Sequence, residues 1–227
     1  MKKRIFYQEL AYILAIISLG FGVALAAKAG FGVSMIAAPA YTAHLKLLEF
    51  TDTVTLGTIE YFLQGVVIII LAIFVRKFKI SYILSFITAF FSGLAIDFAV
   101  FAVSAIPSES FAIRIILFCA NLLCCAFGVS CFFHTYVAPA AHELFVKEFA
   151  LRFKKDIHKT KSAYDIILCV ISIILNLVFF GGFVGIGAGT VVTALVNGLL
   201  IEKTTKILEK HFEFKTAFPK LKRIFLK

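Results

Sequence analysis

Little of this chain is charged and none of it is tryptophan. Charged residues fill 16% of the 227 positions against 61% for hydrophobic ones, and the mean hydropathy is +1.00, a balance that no ordinary soluble domain of this length approaches. A soluble fold is excluded, and the chain reads as an integral membrane protein whose first partner is the lipid bilayer. With no Trp but 27 Phe, an interfacial aromatic belt has to rest on Tyr and Phe. Patterns of catalysis are missing as well. No Ser, His and Asp set converges, no ligand spacing suits a metal, and no cofactor is implied, so an enzyme is not expected. The five cysteines, Cys119, Cys124, Cys125, Cys131 and Cys169, lie inside apolar runs and include a vicinal pair. They read as small membrane hydrophobes. Acidic residues number only 13 against 23 Lys and Arg, for a net charge of +10. The placement of the basic residues, given below, marks membrane orientation and speaks against nucleic acid.

What the chain does have is a succession of apolar runs. They extend from Leu10 to Ala27, Val54 to Val75, Ile80 to Ala105, Ile113 to Tyr136, Ala163 to Phe180 and Ala188 to Ile201, each near the ~20 residues that cross ~30 Å of hydrocarbon. Six spans are expected. The first, preceded by Lys2, Lys3 and Arg4 and carrying Ala24, Leu25 and Ala26, imitates a cleavable signal peptide. Its Glu9, and the recurrence of Phe21, Gly22, Val23 as Phe127, Gly128, Val129, argue that it is kept. Placing the N-terminus in the cytoplasm puts every Lys and Arg except Lys28, Lys46 and Arg114 on one side. That asymmetry predicts cytoplasmic N- and C-termini.

A second internal match organises the whole. Thr88 to Asp97 returns 105 positions later as Thr193 to Glu202, with the Thr, the glycine and an acid four residues after the glycine in register. A fold built twice is the simplest reading, and three spans per copy is an odd number, so the second copy enters the membrane inverted. Residues 1–106 form the first three-helix repeat, 107–210 the second, and 211–227 a basic cytoplasmic tail. After span one, Gly30, Gly32, Pro39, His44 and Lys46 interrupt the apolar pattern over 28–50, which predicts a broken, re-entrant or interfacial helix. Its counterpart over 138–155 places Phe145, Phe149 and Phe153 at i, i+4, i+8, as in an amphipathic surface helix. The expected fold is therefore all-α: a polytopic membrane protein with six transmembrane helices as a 3+3 inverted repeat, and broken or interfacial helices after spans one and four.

Charges at membrane depth are costly and mark function. The repeat pairs Asp97 with Glu202 and Lys28 with His134, one base and one acid at each membrane face, as candidate gates or coupling pairs on a substrate or ion pathway. The plainer alternative is that Lys28 snorkels to water and that His134 and Glu202 sit at interfaces. Ser92 and Asn197 occupy equivalent repeat positions on the same pathway. Asn121, Asn176, Asn197 and Gln64 suit hydrogen-bonded helix contacts. Gly185, Gly187, Gly189 and Thr190 open the last span, where free backbone N–H groups could receive an anion or small residues could let helices approach. The Lys-Ser/Thr pair of a P-loop is missing.

Gly20 to Val23, Gly30 to Ser34, Thr55 to Thr58, Gly93 with Asp97, and Gly185 to Thr190 with Gly198 together resemble the YczE/YyaS/YitT family of bacterial membrane proteins over nearly the whole chain. Many members place Gly-x-Gly-Pro, an aromatic and an acid after span one, whereas this chain has Gly30, Phe31, Gly32, Val33 and Ser34. The resemblance implies a six-helix protein of the bacterial inner membrane. The expected function is a small secondary transporter or permease for a small molecule or ion. The alternatives are the substrate-capture subunit of a multi-subunit vitamin importer, docking a membrane partner subunit through Ala11 and Ala15, or a non-transporting accessory protein. A homodimer is also compatible.

Overall fold

The computed structural model describes residues 3–51, 53–75 and 80–219. The basic residues Lys2, Arg76, Lys77 and Lys79, and the end of the basic tail from Lys220, lie outside the described residues. In order, the elements are β1 (Arg4–Tyr7), α1 (Gln8–Ala29), α2 (Ala38–Leu48), α3 (Leu56–Val75), α4 (Ile80–Ser104), α5 (Phe111–Phe133), α6 (Ala141–Phe153), α7 (Ile157–Phe180), α8 (Ala188–His211) and β2 (Phe212–Lys215). Among the described residues five helices are long and apolar enough to cross a membrane: α1, α3, α4, α5 and α7. α8 is as long but carries Glu202, Lys203, Lys206, Glu209 and Lys210 in its last three turns.

The bundle is apolar outside and polar inside. Ile69, Ile73, Phe98, Phe101, Ile116 and Val178 stand exposed on the flanks of α3, α4, α5 and α7, while Ser85, Thr88, Asn121, Ser172, Asn176 and Asn197 are buried. Lipid tails are as apolar as Leu, so burying Ile gains nothing. Helices associate instead through close packing and interhelical hydrogen bonds. Small residues make the close approach feasible. A Cβ at Gly22 would sit 2.6 Å from Cys125 Sγ, and one at Gly128 would sit 2.7 Å from Leu19 and 3.1 Å from Ala15 O, so α1 and α5 cross with backbones nearly touching. Ser18 Oγ adds a 2.9 Å hydrogen bond to Cys124 O at the same crossing. α1 also lies along α4, α5 along α8, α3 along α4 and α7 along α8.

Two short helices, α2 and α6, follow extended chain and do not cross the bundle. α2 contacts α3 and α7, and α6 contacts α7 and α3. The segment before each is held by a hydroxyl from a long helix: Ser85 Oγ donates to Pro139 O at 2.7 Å, and Thr190 Oγ1 donates to Val33 O at 2.8 Å. Where a broken, re-entrant or interfacial helix is expected over 28–50, the structure has the short helix α2, separate from α1. The expectation of an amphipathic surface helix over 138–155 is corrected, because the first turns of α6 point inward and bury Ala141, His142, Glu143, Leu144 and Val146. Only its far end, Leu151 and Phe153, is exposed.

At the end of the bundle that carries the N-terminus, β1 and β2 pair in parallel, Arg4 opposite Phe212 and Tyr7 opposite Lys215. The Glu9 carboxylate accepts hydrogen bonds from Tyr136 Oη (2.8 Å), Thr216 Oγ1 (2.9 Å) and Ala217 N (3.0 Å), which ties the start of α1 to the chain after β2. α7 is started by Asp156, whose side chain accepts from His158 N and Lys159 N. The Lys159 N–H, with the neighbouring charges, holds this carboxyl below its usual range. A depressed carboxyl contributes stability above its unfolded value and loses it as the pH falls through the lower folded value. Asp156→Ala is therefore expected to cost ~1 kcal/mol near neutral pH. Its melting temperature converges on that of the wild type below about pH 4. A constant difference across that range would contradict the capping role.

Candidate functional site

Five charged or titratable side chains meet in the interior where α3, α6 and α7 converge. Glu60 (4% exposed) and Gln64 lie one turn apart on α3, His142 (4%) and Glu143 (2%) start α6, and Lys161 and Asp165 (both 0%) lie one turn apart on α7. Spacings of four put Glu60 with Gln64, and Lys161 with Asp165, on one helix face. Lys161 Nζ lies 2.9 Å from Asp165 Oδ1 and 3.7 Å from Glu143 Oε1. Across from them, Glu60 Oε1 accepts from Gln64 Nε2 at 3.2 Å and lies 3.5 Å from His142 Nε2. His142 Nδ1 is 2.8 Å from Tyr164 Oη on α7. Gln64 Oε1 in turn accepts from Ala141 N at 3.1 Å, so a side chain of α3 caps the inward end of α6. Ions this deep are costly unless paired and hydrogen-bonded, and Lys161 is flanked by two carboxylates for that reason.

Beside this cluster is a cavity of ≈ 50 Å³ bordered by Ser34, Glu60, Ser92, His142, Glu143 and Asn197, among others. That volume exceeds the 10–15 Å³ one water needs. Of the described side chains that border the cavity, Glu60 Oε2, His142 Nε2 and Asn197 Oδ1 are buried with no hydrogen-bond partner. A wider vestibule of ≈ 440 Å³ lies at the C-terminal end of α1, bordered by Ala26, Gly30, Val33, Tyr41, Gly185 and Gly187. Val33 borders this vestibule and the next residue, Ser34, borders the cavity. At the other end of α1 a groove of ≈ 350 Å³ is bordered by Glu9, Tyr12, Ile13, Thr88, Tyr136 and Val137. Its Val137 stands three residues before Ala140, which borders the cavity.

The residues singled out from sequence are distributed as follows. Ser92 and Asn197 border the cavity. Lys28 and Asp97 form no ion pair with each other: Lys28 Nζ donates to Ser104 O at 3.0 Å, and Asp97 accepts from Gly57 N and Thr55 Oγ1, both at 2.9 Å, as a cap on α3. His134 and Glu202 do not pair either. His134 Nε2 is 3.2 Å from Glu209 with its ring stacked on Phe214, and Glu202 pairs with Lys206. The N–H of Gly189 at the start of α8 donates to Phe31 O (2.9 Å), Gly187 N to Thr190 Oγ1 (3.4 Å) and Thr190 N to Gly187 O (3.0 Å). Neighbouring chain thus occupies the anion-binding position, and Gly185 turns with φ +72 against the Tyr41 ring. Gly32, at φ +103, presses against Gly187 and Thr190. Asn176 does join helices, donating to Thr42 Oγ1 on α2 at 2.6 Å and accepting from Val184 N at 2.8 Å.

No sequence pattern described above brings these side chains together. The apolar run that starts at Ala163 leaves Lys161 outside the predicted span, but α7 begins at Ile157 and takes Lys161 into the core. The available signal was the Lys161 to Asp165 spacing beside an apolar run, together with Glu60 to Gln64.

Fold and site define a multi-pass helical membrane protein with a charged interior centre. The chain belongs to the family of unknown function DUF6198, whose model matches residues 6–206. It is 29% identical over 205 residues to the uncharacterized protein YyaS of Bacillus subtilis (strain 168), covering 88% of this chain and 94% of that one. The resemblance read from the glycine motifs agrees as far as YyaS. No solved structure matches.

Proposed function

We propose that the protein is a small secondary transporter or permease of the bacterial inner membrane, with both termini in the cytoplasm and its substrate site at the cavity beside Glu60, His142 and Asn197. One observation carries this reading: a charged cavity at the middle of α1 has a vestibule at one end of that helix and a groove at the other, and short stretches of chain, Val33 to Ser34 and Val137 to Ala140, lead from each to the cavity. Thin barriers that move in turn are what alternating access requires.

The pattern of contacts supports six spans, α8 being the sixth, in two inverted copies of three. Under a shift of 105 or 106 residues the Ser85 to Pro139 bond becomes the Thr190 to Val33 bond. Gly22 against Asn121 and Cys125 becomes Gly128 against Ala15 and Leu19. The crossing of Gly57 with Gly93 becomes that of Ser162 with Gly198. Ser18 bonds its own equivalent, Cys124, as expected of an axis that passes through the α1–α5 crossing. Two near-equivalent halves give inward- and outward-facing states of similar energy.

The test needs no known substrate. In a variant with the five native cysteines replaced, Asn197→Cys and Ser34→Cys are exposed to an impermeant thiol reagent in right-side-out and inverted vesicles. Modification from both faces is expected. Modification from one face only, or from neither, removes the transport reading.

A further inference from the structure

The charges around the cavity do not balance unless one more proton is counted. Three acids, Glu60, Glu143 and Asp165, face two bases, Lys161 and His142. The N-terminal ends of α2 and α6 both border the cavity at Ala37 and Ala140, and each acts as about half a positive charge. With His142 protonated the site is close to neutral. With His142 unprotonated it holds one uncompensated negative charge in a low-dielectric interior, which is strongly unfavourable. Geometry names the atoms. Glu60 Oε1 is occupied by Gln64, and His142 Nδ1 by Tyr164. Glu60 Oε2 and His142 Nε2 are left without hydrogen-bond partners beside the cavity. The other titratable groups facing the pair are Glu143 on α6, Tyr164, Lys161 and Asp165 on α7, and Cys125 on α5. The lining that α1, α2, α4 and α8 bring is neutral.

We infer that Glu60 and His142 together hold one exchangeable proton at this cavity, and that the proton is the coupling ion of the transport proposed above, on which that role rests. In the loaded state the proton is on His142 Nε2 facing the Glu60 carboxylate. In the released state the N–H bond breaks, the proton leaves to water on whichever face is open, and neutral imidazole and carboxylate remain.

The experiment uses the purified full-length protein and no substrate. Its proton uptake and melting temperature are followed from about pH 5 to about pH 9, a range that contains the ordinary imidazole value and excludes the ordinary Glu value. The wild type is expected to take up one proton more per chain than His142→Gln and to lose thermal stability as the pH rises and that proton leaves. Glu60→Gln removes no group that ordinarily titrates in this range, and its amide oxygen can still accept from Gln64. It is nonetheless expected to lose the same proton and the same pH dependence. Exchange of choline for sodium at constant ionic strength is expected to change nothing. Retention of the proton by Glu60→Gln, equal uptake by wild type and His142→Gln, or stabilisation by sodium in place of protons overturns the inference. The two readings fail separately. Loss of the proton in both variants with one-sided labelling of Asn197→Cys leaves the proton site standing and removes its coupling role. Two-sided labelling with an unresponsive proton removes the site alone.

Discussion

Lys161→Met is expected to be the most damaging single substitution in the interior. Met fills the same space, but Asp165 and Glu143 lose the cation that lies 2.9 and 3.7 Å from them, with all three side chains at most 3% exposed. Breaking a buried pair by removing one partner costs ~3–5 kcal/mol, whereas removing both partners is often close to neutral. The single variant should therefore melt well below the wild type in detergent and express poorly. Adding Asp165→Asn should recover most of the loss, since it removes the charge that Lys161 serves most closely. A single variant that melts with the wild type, or a double variant no better than the single, would show that Lys161 does not serve to neutralise the buried Asp165 carboxylate.

Gly57→Val should produce the second large effect, through sterics and not charge. α3 and α4 cross with Gly57 against Gly93. A Cβ at Gly57 would collide with Gly93 O and lie 2.7 Å from Asp97 Oδ1. Overpacking costs ~1–3 kcal/mol even where side chains can yield. Here the obstacle is backbone, and spreading the helices also breaks the 2.9 Å bond from Gly57 N to Asp97. A loss of about 3 kcal/mol or more is expected, read as a drop in melting temperature. Gly182→Ala, where a Cβ meets nothing within 4 Å, should leave melting unchanged and serves as the control. Equal behaviour of the two variants would refute the close crossing.

The two substitutions touch features of very different legibility. Gly57 and Gly93 stand in glycine motifs that are visible in the chain, because close helix approach demands small residues at fixed places. Asp97 was visible too, but its role was not. Depth along a helix suggested a gate with Lys28, whereas the bundle brings the start of α3 to it and makes it a cap. His134 shows the same limit. An offset of 106 makes it the counterpart of Lys28, while the end of α8 supplies Glu209 and the strand after it Phe214 as its actual neighbours. Equivalent positions in a repeat inherit equivalent backbone surroundings, but not equivalent side chains. On one side Cys169 packs with Met35 and Ala194, and at the corresponding place Gln64 caps α6. Glu60 and Asp165 do stand 105 residues apart, but Lys161, His142 and Glu143 correspond to Leu56, Ile36 and Ala37, so a search for mirrored pairs finds two of the acids and passes over the rest of the centre.

By itself the sequence determined that the chain is helical and apolar enough for a membrane, where most of the long helices run, that a short helix interrupts the pattern after the first, and that small residues recur where helices cross. These follow from local composition and from the length of a helix that crosses hydrocarbon. Only the tertiary structure decided that Glu60, His142, Glu143, Lys161 and Asp165 share one interior site. The first turns of α6 fold inward, and α7 starts six residues before the apolar run. No local pattern shows whether a charged residue beside an apolar run ends in water or in the core, since that depends on whether a partner of opposite charge arrives from another helix.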